Sequence, residues 1–162
     1  MEYQIRKMHE EDWRKVADIY QAGMDTNMAT FQTQGPSYQA FGQSHLADCR
    51  YVITDGNGVA GWAALTPVSS RCVYRGVAEV SIYIDPAYKG KGLGTRLLTH
   101  LAEQSEQCGY WTLQAGIMQD NEASIRLHEK CGFRLVGFRE RIGQDKFGAW
   151  RNTVLMERRS AL

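Results

Sequence analysis

A glycine-rich segment between a predicted strand and a predicted helix is the clearest sign of a ligand-binding site in the sequence. Residues 89–95 read Lys-Gly-Lys-Gly-Leu-Gly-Thr. Glycines let backbone N–H groups approach a ligand closely, and the positive end of the following helix dipole favours a negative charge beside them. The segment therefore predicts a site for a phosphate or a pyrophosphate.

The spacing of these glycines excludes two common phosphate-binding loops. A P-loop needs Gly-Lys followed by Ser or Thr five residues after its first glycine, and this sequence does not match it. A dinucleotide-binding turn needs a glycine three positions after its second glycine, where Thr95 stands instead. A tight turn without a ligand is the remaining structural alternative.

The predicted strand before this segment has two chemically different faces. One face carries Ala78, Val80, Ile82 and Ile84, and the other carries Val77, Glu79, Ser81 and Tyr83. Polar side chains on an internal strand need hydrogen-bond partners or a cleft to line. The strand is therefore predicted to border a site.

Hydrophobic periodicity places these segments in a mixed sheet covered by helices. Strands are predicted at about 3–8, 51–54, 59–68, 77–85, 111–118, 133–142 and 149–156, and helices at about 13–24, 37–46, 93–108 and 121–130. Ser37 and Asn121 are predicted to open the second and fourth helices, and the apolar stripe of the third is Leu93, Leu97, Leu98, Leu101 and Cys108. Residues 25–36 surround Phe31 with small polar residues, which is typical of a binding loop or an ordinary surface loop. No repeat or linker interrupts this order, so residues 1–162 are predicted to form a single α/β (α+β) domain.

Composition and charge exclude several classes of protein. The chain has 162 residues, of which 43% are hydrophobic and 23% are charged, and its net charge is +1. These values predict a folded protein and show no electrostatic signature of a nucleic-acid partner. No apolar run approaches the roughly 20 residues that span a bilayer, and residues 1–8 do not resemble a signal peptide. We therefore expect a cytosolic protein with no membrane partner.

The cysteines and histidines show no spacing typical of a metal site or a disulfide framework. They are Cys49, Cys72, Cys108 and Cys131, with His9, His45, His100 and His128. Free cysteines usually behave as small hydrophobic residues, so we expect reduced and largely buried thiols. No metal cofactor is predicted.

The glycine-rich segment resembles the Arg/Gln-x-x-Gly-x-Gly/Ala turn of the GNAT acetyltransferases, which binds the pyrophosphate of coenzyme A. The match runs from Lys89 to Gly94, with Lys89 where Arg or Gln is usual. Residues 121–133 also resemble the later Asn-to-Gly-Phe block of the family. The resemblance implies a GNAT-like domain with a mixed, mostly antiparallel sheet of about seven strands, flanked by about four helices.

The resemblance covers nearly the whole chain and is closest to the phosphinothricin and methionine sulfone-sulfoximine N-acetyltransferase group. Supporting blocks are Thr30-Phe31, Arg75-Gly76, Ser81 to Ile84, Ser124 with 127–129, and 146–148 with Trp150. The resemblance implies an acetyl-CoA-dependent enzyme that acetylates the amino group of a small amino-acid-like substrate. It further implies a homodimer. It also implies that the acetyl group passes directly to the substrate in a ternary complex, without first being attached to Cys72.

The resemblance also assigns the coenzyme-binding residues. In this family a strand offers backbone groups to the pantetheine arm, much as it would receive an added peptide strand. The residues implied here are Ile82, Tyr83 and Ile84 on the strand, Gly90, Lys91, Gly92, Leu93, Gly94 and Thr95 in the glycine-rich segment, and Asn121.

Glu79 stands where this group has its catalytic glutamate. An α-amino group is mostly protonated at cytosolic pH, so acetyl transfer needs a base. We predict that Glu79 removes this proton, directly or through water; the alternative is an internal ion pair with Arg71 or Arg75. His128 occupies the place where many GNAT enzymes have a tyrosine as the acid for the departing thiolate, and a structural role is its alternative.

Two arginines, Arg71 and Arg75, lie shortly before the predicted site strand. A guanidinium group is a well-matched partner for a substrate carboxylate, although unpartnered surface arginines are the common alternative. The predicted substrate-binding residues are Phe31, Arg71, Tyr74, Arg75, Val80 and Ser81. Two other functions stay open: an N-acetyltransferase for proteins or peptides, which needs an open groove, and a non-catalytic coenzyme A sensor.

Overall fold

The alternating apolar segments of the sequence assemble into one seven-stranded sheet. In the computed structural model, which describes residues 2–162, the strands are β1 (Gln4–Lys7), β2 (Tyr51–Thr54), β3 (Val59–Pro67), β4 (Val77–Ile84), β5 (Thr112–Met118), β6 (Arg134–Gln144) and β7 (Trp150–Arg159). Their order across the sheet is β1-β2-β3-β4-β5-β7-β6. Neighbouring strands are antiparallel except for the parallel pair β4 and β5. The predicted mixed, mostly antiparallel sheet is confirmed.

Two of the four helices begin at a residue whose side chain caps the helix. They are α1 (Trp13–Asp25), α2 (Tyr38–Ser44), α3 (Leu93–Gln107) and α4 (Glu122–Lys130). The side chain of Ser37 accepts a hydrogen bond from the N–H of Ala40 at the start of α2, and Asn121 accepts one from Ser124 at the start of α4. The connection between β3 and β4 contains a short 3-10 turn, Cys72–Tyr74.

The helices cover both faces of the sheet. Helix α3 buries Leu97, Leu98 and Leu101 on one face, in the same cluster as Val80 of β4. Helix α1 lies over the opposite face, where Tyr83 packs against a second buried cluster that includes Val16 and Trp62. The two faces of β4 thus differ as the alternation of its residues predicts.

The sheet opens between its two parallel strands. Strands β4 and β5 pair only through Val77–Thr112, Ala78–Leu113 and Glu79–Gln114, whereas β3 pairs with β4 as far as Ile84. Backbone groups of a strand point alternately to its two sides, so those of residues 80–84 that face away from β3 meet a gap. This gap begins directly beside Glu79.

The burial of two thiols differs from the prediction. Cys49 is buried and Cys131 is partly buried, as expected, but Cys72 and Cys108 are exposed. Helix α3 ends at Gln107, so Cys108 lies at its C-cap rather than on its apolar stripe. Cys72 lies in the surface turn before β4. The expectation of largely buried thiols was therefore wrong for these two residues.

None of the helices in residues 2–162 combines the length and the apolar character needed to cross a membrane. In the same residues, no group of three or more His, Cys, Asp or Glu side chains is placed to hold a metal ion.

Candidate active site

A cavity of about 940 Å³ occupies the gap between β4 and β5. Its walls are residues 79–84 of β4, residues 115–118 of β5, the start of α3 and one side of α4. Residues 26–32, which follow α1 and are called the site loop below, contribute Thr26, Met28, Ala29, Thr30 and Gln32. One cavity thus joins the glycine-rich segment to Glu79.

The cavity brings together most of the residues that the sequence singled out. Those that line it are Glu79, Val80, Ser81, Ile82, Tyr83, Ile84, Gly90, Gly92, Leu93, Gly94, Asn121 and His128. The lining does not include Phe31, Arg71, Tyr74, Arg75, Lys91 or Thr95.

Three of the residues outside the lining contact other parts of the protein. The Arg71 guanidinium lies over the ring of Tyr74, 5.9 Å from its centroid, and both residues are exposed. The ring of Phe31 packs against Gly143 of β6, where an added Cβ would lie 3.1 Å from it. Contacts of these residues with a ligand stay predictions.

The glycine-rich segment leaves backbone groups open at the start of α3. Gly90 and Gly92 adopt φ values of +77° and +74°, which strain any residue with a side chain. No atom lies within 4 Å of a Cβ added to either residue. Gly92 is the N-cap residue of α3 and provides no side chain to cap the helix. The first N–H groups of a helix have no partner within the helix, and the helix dipole favours an anion there. This arrangement fits the pyrophosphate of coenzyme A.

The side chain of Asn121 is occupied by protein contacts. Its Oδ1 accepts a hydrogen bond from the Ser124 N–H at 3.3 Å, and its Nδ2 donates to the Met28 carbonyl at 3.2 Å. Asn121 therefore shapes the cavity by joining the start of α4 to the site loop.

The carboxylate of Glu79 is half-buried and held by a neutral partner. Gln114 Nε2 donates to Glu79 Oε1 at 3.1 Å. None of the ion pairs among residues 2–162 involves Glu79. The alternative role of Glu79, an ion pair with Arg71 or Arg75, is therefore absent from these residues. A carboxylate that borders a cavity without a cation beside it can accept a proton from a ligand.

His128 is buried with one ring nitrogen committed to the backbone. Its Nδ1 lies 2.7 Å from the Ser124 carbonyl oxygen, and because a carbonyl only accepts, Nδ1 carries the hydrogen. Burial lowers the pKa of His128 below its usual value. The ring is therefore neutral near pH 7, with a free lone pair on Nε2. A role as an acid requires that the ring first accept a proton.

The sequence did not single out several polar residues that line the cavity. They are Tyr20, Gln32, Ser44, His45 and Thr66. Thr66 lies opposite Glu79 in the β3–β4 ladder, and Tyr20 donates its hydroxyl hydrogen to Gln32. Burial lowers the pKa of His45. These residues belong to no common motif, so only the pairing of distant segments reveals them.

Comparisons with known proteins agree with this geometry. Residues 4–133 match the acetyltransferase (GNAT) family. The chain is 32% identical to phosphinothricin N-acetyltransferase of Streptomyces coelicolor over 97% of this chain and 96% of that protein. It is 37% identical to L-methionine sulfoximine/L-methionine sulfone acetyltransferase of Salmonella typhimurium over 65% of this chain, an alignment that spans 62% of that relative.

A solved structure shows the same architecture. The GNAT superfamily phosphinothricin acetyltransferase of Sinorhizobium meliloti, in complex with acetyl-CoA, superposes with a TM-score of 0.89 at 30% identity. The superposition covers 99% of this chain and 89% of that one. The chain therefore belongs to the acetyltransferase (GNAT) family of acyltransferases.

Proposed function

We propose that this protein is an acetyl-CoA-dependent N-acetyltransferase that acts on the amino group of a small amino-acid-like molecule, such as phosphinothricin, methionine sulfoximine or methionine sulfone. The main support is one cavity that runs from the glycine-rich start of α3 along the unpaired side of β4 to Glu79. The names of the Streptomyces and Salmonella relatives favour the same substrate class.

Acetyl-CoA, when bound, would supply the acetyl group as an activated thioester. The acetyl group would pass directly to the substrate amine within a ternary complex. The residues proposed to hold the coenzyme are Ile82, Tyr83 and Ile84 of β4, with Gly90, Lys91, Gly92, Leu93, Gly94 and Thr95 at the start of α3, and Asn121 at the start of α4. The open backbone around Gly90 and Gly92 and the unpaired side of β4 support this assignment.

Glu79 is proposed as the general base that removes the proton from the substrate amine, directly or through water. Its carboxylate borders the cavity, and Gln114 orients it. His128 lines the same cavity and can accept a proton at Nε2 and release it again. This is the behaviour required of an acid that works beside a separate base.

The substrate is proposed to lie against the part of β4 nearest the base. Val80 and Ser81 follow Glu79 in the chain and line the cavity. Arg71 and Arg75 are proposed partners for a substrate carboxylate, with Phe31 and Tyr74 as further contacts, although all four lie outside the lining.

The proposed function is tested by an acetyl-CoA-dependent screen of amines with the purified protein. Thiol release is measured with phosphinothricin, methionine sulfone, methionine sulfoximine, polyamines and peptides, and coenzyme A binding is measured by calorimetry. We expect coenzyme binding and transfer to the small amino acids. Transfer to peptides alone would identify a peptide acetyltransferase, and coenzyme binding without transfer would identify a sensor. Absence of coenzyme binding would overturn the proposal.

Variants assign the proton-transfer roles in the same assay. Glu79→Gln is expected to lower kcat by roughly 10²–10⁴-fold while coenzyme A affinity stays near the wild-type value. Glu103→Gln, on the exposed side of α3, is the matched control. Full activity of Glu79→Gln would refute the base role, and full activity of His128→Ala would refute a catalytic role for the histidine.

We also propose that the protein is a homodimer. Strand β6 is an edge strand, and the β6–β7 hairpin exposes large apolar side chains, namely Leu135, Val136, Phe138, Ile142, Phe147 and Trp150. Contiguous exposed apolar residues are typical of interfaces, and a second copy could cover them. Light scattering is expected to give the mass of two chains for the wild type and of one chain for Phe138→Glu. A wild-type monomer would refute the proposal.

A further inference from the structure

One arginine of β7 contacts the site loop from outside the cavity. Arg151 Nη1 donates to the Asn27 carbonyl oxygen at 2.8 Å, and its Nη2 lies 3.5 Å from Met28 Sδ. Met28 lines the cavity, whereas Arg151 does not. The guanidinium group therefore holds two consecutive residues of the site loop without reaching the ligand space.

Two carboxylates hold this guanidinium group in turn. Asp145 Oδ2 lies 3.2 Å from Nη1 of Arg151, and Asp120 Oδ1 lies 2.8 Å from Nη2. The side chains of Arg151 and Asp145 are only 13% and 4% exposed, so this pair is shielded from solvent. The planar fork of an arginine suits such a two-sided arrangement, which a lysine cannot reproduce.

Asp145 also binds the site loop directly. Its Oδ2 accepts a hydrogen bond from Asn27 Nδ2 at 3.0 Å. Its Oδ1 accepts hydrogen bonds from the backbone N–H groups of Phe147 and Ala149 in the same turn. The Asn27 hydrogen bond, these N–H groups and Arg151 together lower the pKa of Asp145 to about 2. The carboxylate therefore remains charged at physiological pH.

The outside contacts hold an uncommon backbone conformation in the site loop. Asn27 adopts φ +59°, a left-handed conformation that is uncommon for residues with side chains, although asparagine takes it more readily than most. Such a conformation persists where the surroundings impose it. Asn121 holds the next carbonyl, that of Met28, and Lys146 Nζ donates to the carbonyl of Asp25 at 3.2 Å. Three neighbouring elements thus hold the short stretch between Asp25 and Met28.

We propose that Arg151 is a positioning residue that sets the conformation of the site loop and thereby the affinity for the amine substrate. This inference rests on the proposed function, because it identifies the amine as the ligand beside the loop. The site loop includes none of the residues proposed to hold the coenzyme. It contacts the side chains of Asn121 and Tyr83, whereas β4 is proposed to bind the coenzyme through its backbone. Loosening the loop should therefore weaken amine binding much more than coenzyme binding.

Steady-state kinetics of Arg151→Met and Arg151→Lys test the inference. For both variants we expect the KM for the amine to rise about tenfold or more, while the KM for acetyl-CoA changes by less than about twofold. Asp120→Asn removes one exposed carboxylate at little risk to folding, and we expect a smaller change in the same direction. Arg134→Met is the matched control, because Arg134 pairs with Glu157 at 2.6 Å on the same hairpin.

Hydrogen exchange provides a readout that does not need turnover. Amides of residues 26–30 should lose protection in Arg151→Met and keep it in Arg134→Met. Wild-type protection in Arg151→Met, or an equal rise of both KM values, would overturn the inference. If the wild type acetylates no amine, the proposed function fails and the affinity part of the inference fails with it; exchange in residues 26–30 then decides the positioning role alone.

Discussion

Gln114 and Glu79 face each other in the last residue pair of the β4–β5 ladder, joined by a hydrogen bond of 3.1 Å. The two strands separate beyond this pair, so Glu79 stands where the sheet opens. Gln114 does not line the cavity, yet it is the side chain that orients the proposed base. The parallel pairing of β4 and β5 thus bears directly on the chemistry of the site.

Replacing Gln114 should impair turnover without affecting coenzyme binding. In Gln114→Leu the Glu79 carboxylate loses its donor, and we expect kcat to fall about tenfold because a misoriented base transfers protons poorly. The KM for acetyl-CoA should stay near the wild-type value. Gln107→Leu, at the exposed end of α3, is the control. An unchanged kcat for Gln114→Leu would show that the hydrogen bond does not matter for turnover.

The packing of Gly23 against Tyr83 predicts that a helix-favouring substitution destabilises the protein. An Ala in place of Gly usually stabilises a helix interior by roughly 0.5–1 kcal/mol. At Gly23, however, the new Cβ would lie 2.4 Å from Tyr83 Cδ2. The Tyr83 ring cannot easily move, because it lies between the rings of Tyr20 at 4.8 Å and Trp62 at 5.1 Å.

Urea denaturation should therefore give Gly23→Ala a free energy of unfolding that is lower than wild type by about 1–3 kcal/mol. Gly42→Ala in α2 is the matched control, since no atom lies within 4 Å of its added Cβ. We expect this control to be neutral or stabilising. A stabilised Gly23→Ala would contradict the close contact.

Stability should decrease on acidification because His128 is buried and neutral. Its folded-state pKa is lowered below the ordinary value of 6.5. Between the two values the unfolded chain binds more protons than the folded chain, so stability falls as pH drops below about 6.5. One such group changes the free energy of unfolding by at most about 1.4 kcal/mol per pH unit.

His128→Gln should flatten this dependence. The free energy of unfolding is measured by urea denaturation between about pH 7.5 and pH 5.5 for both proteins. Burial also lowers the pKa of His45. The free energy of unfolding of His128→Gln should therefore still depend on pH to some extent, and that of the double variant His128→Gln/His45→Gln should depend on it less. An equally steep slope in wild type and both variants would argue against neutral buried histidines.

The thiols should differ in their reaction with an alkylating reagent. Burial and the neighbouring Cys108, whose Sγ lies 3.8 Å away, raise the pKa of Cys49 to about 12. Because the thiolate is the reactive form, Cys49 should resist iodoacetamide until the protein unfolds, whereas exposed Cys72 should react in the native state. Peptide mass spectrometry shows the order in which the cysteines are alkylated. Equal native rates for Cys49 and Cys72 would contradict this burial pattern.

The sequence by itself determined the elements and the family. The stripe that includes Leu97 and Leu101 predicted α3, and the capping residues Ser37 and Asn121 marked two helix starts that the structure confirms. Such signals lie within about a dozen residues of one another, so they survive without tertiary information. The glycine-rich segment and the later blocks identified the family for the same reason.

Only the tertiary structure decided which side chains share the site. It ended the β4–β5 ladder at Glu79, brought Gln114 to that carboxylate, and placed Thr66 opposite it. It also left Arg71 and Arg75 outside the cavity lining. These relationships depend on strand order and register between segments tens of residues apart, and periodicity within one segment carries no information about the position of another.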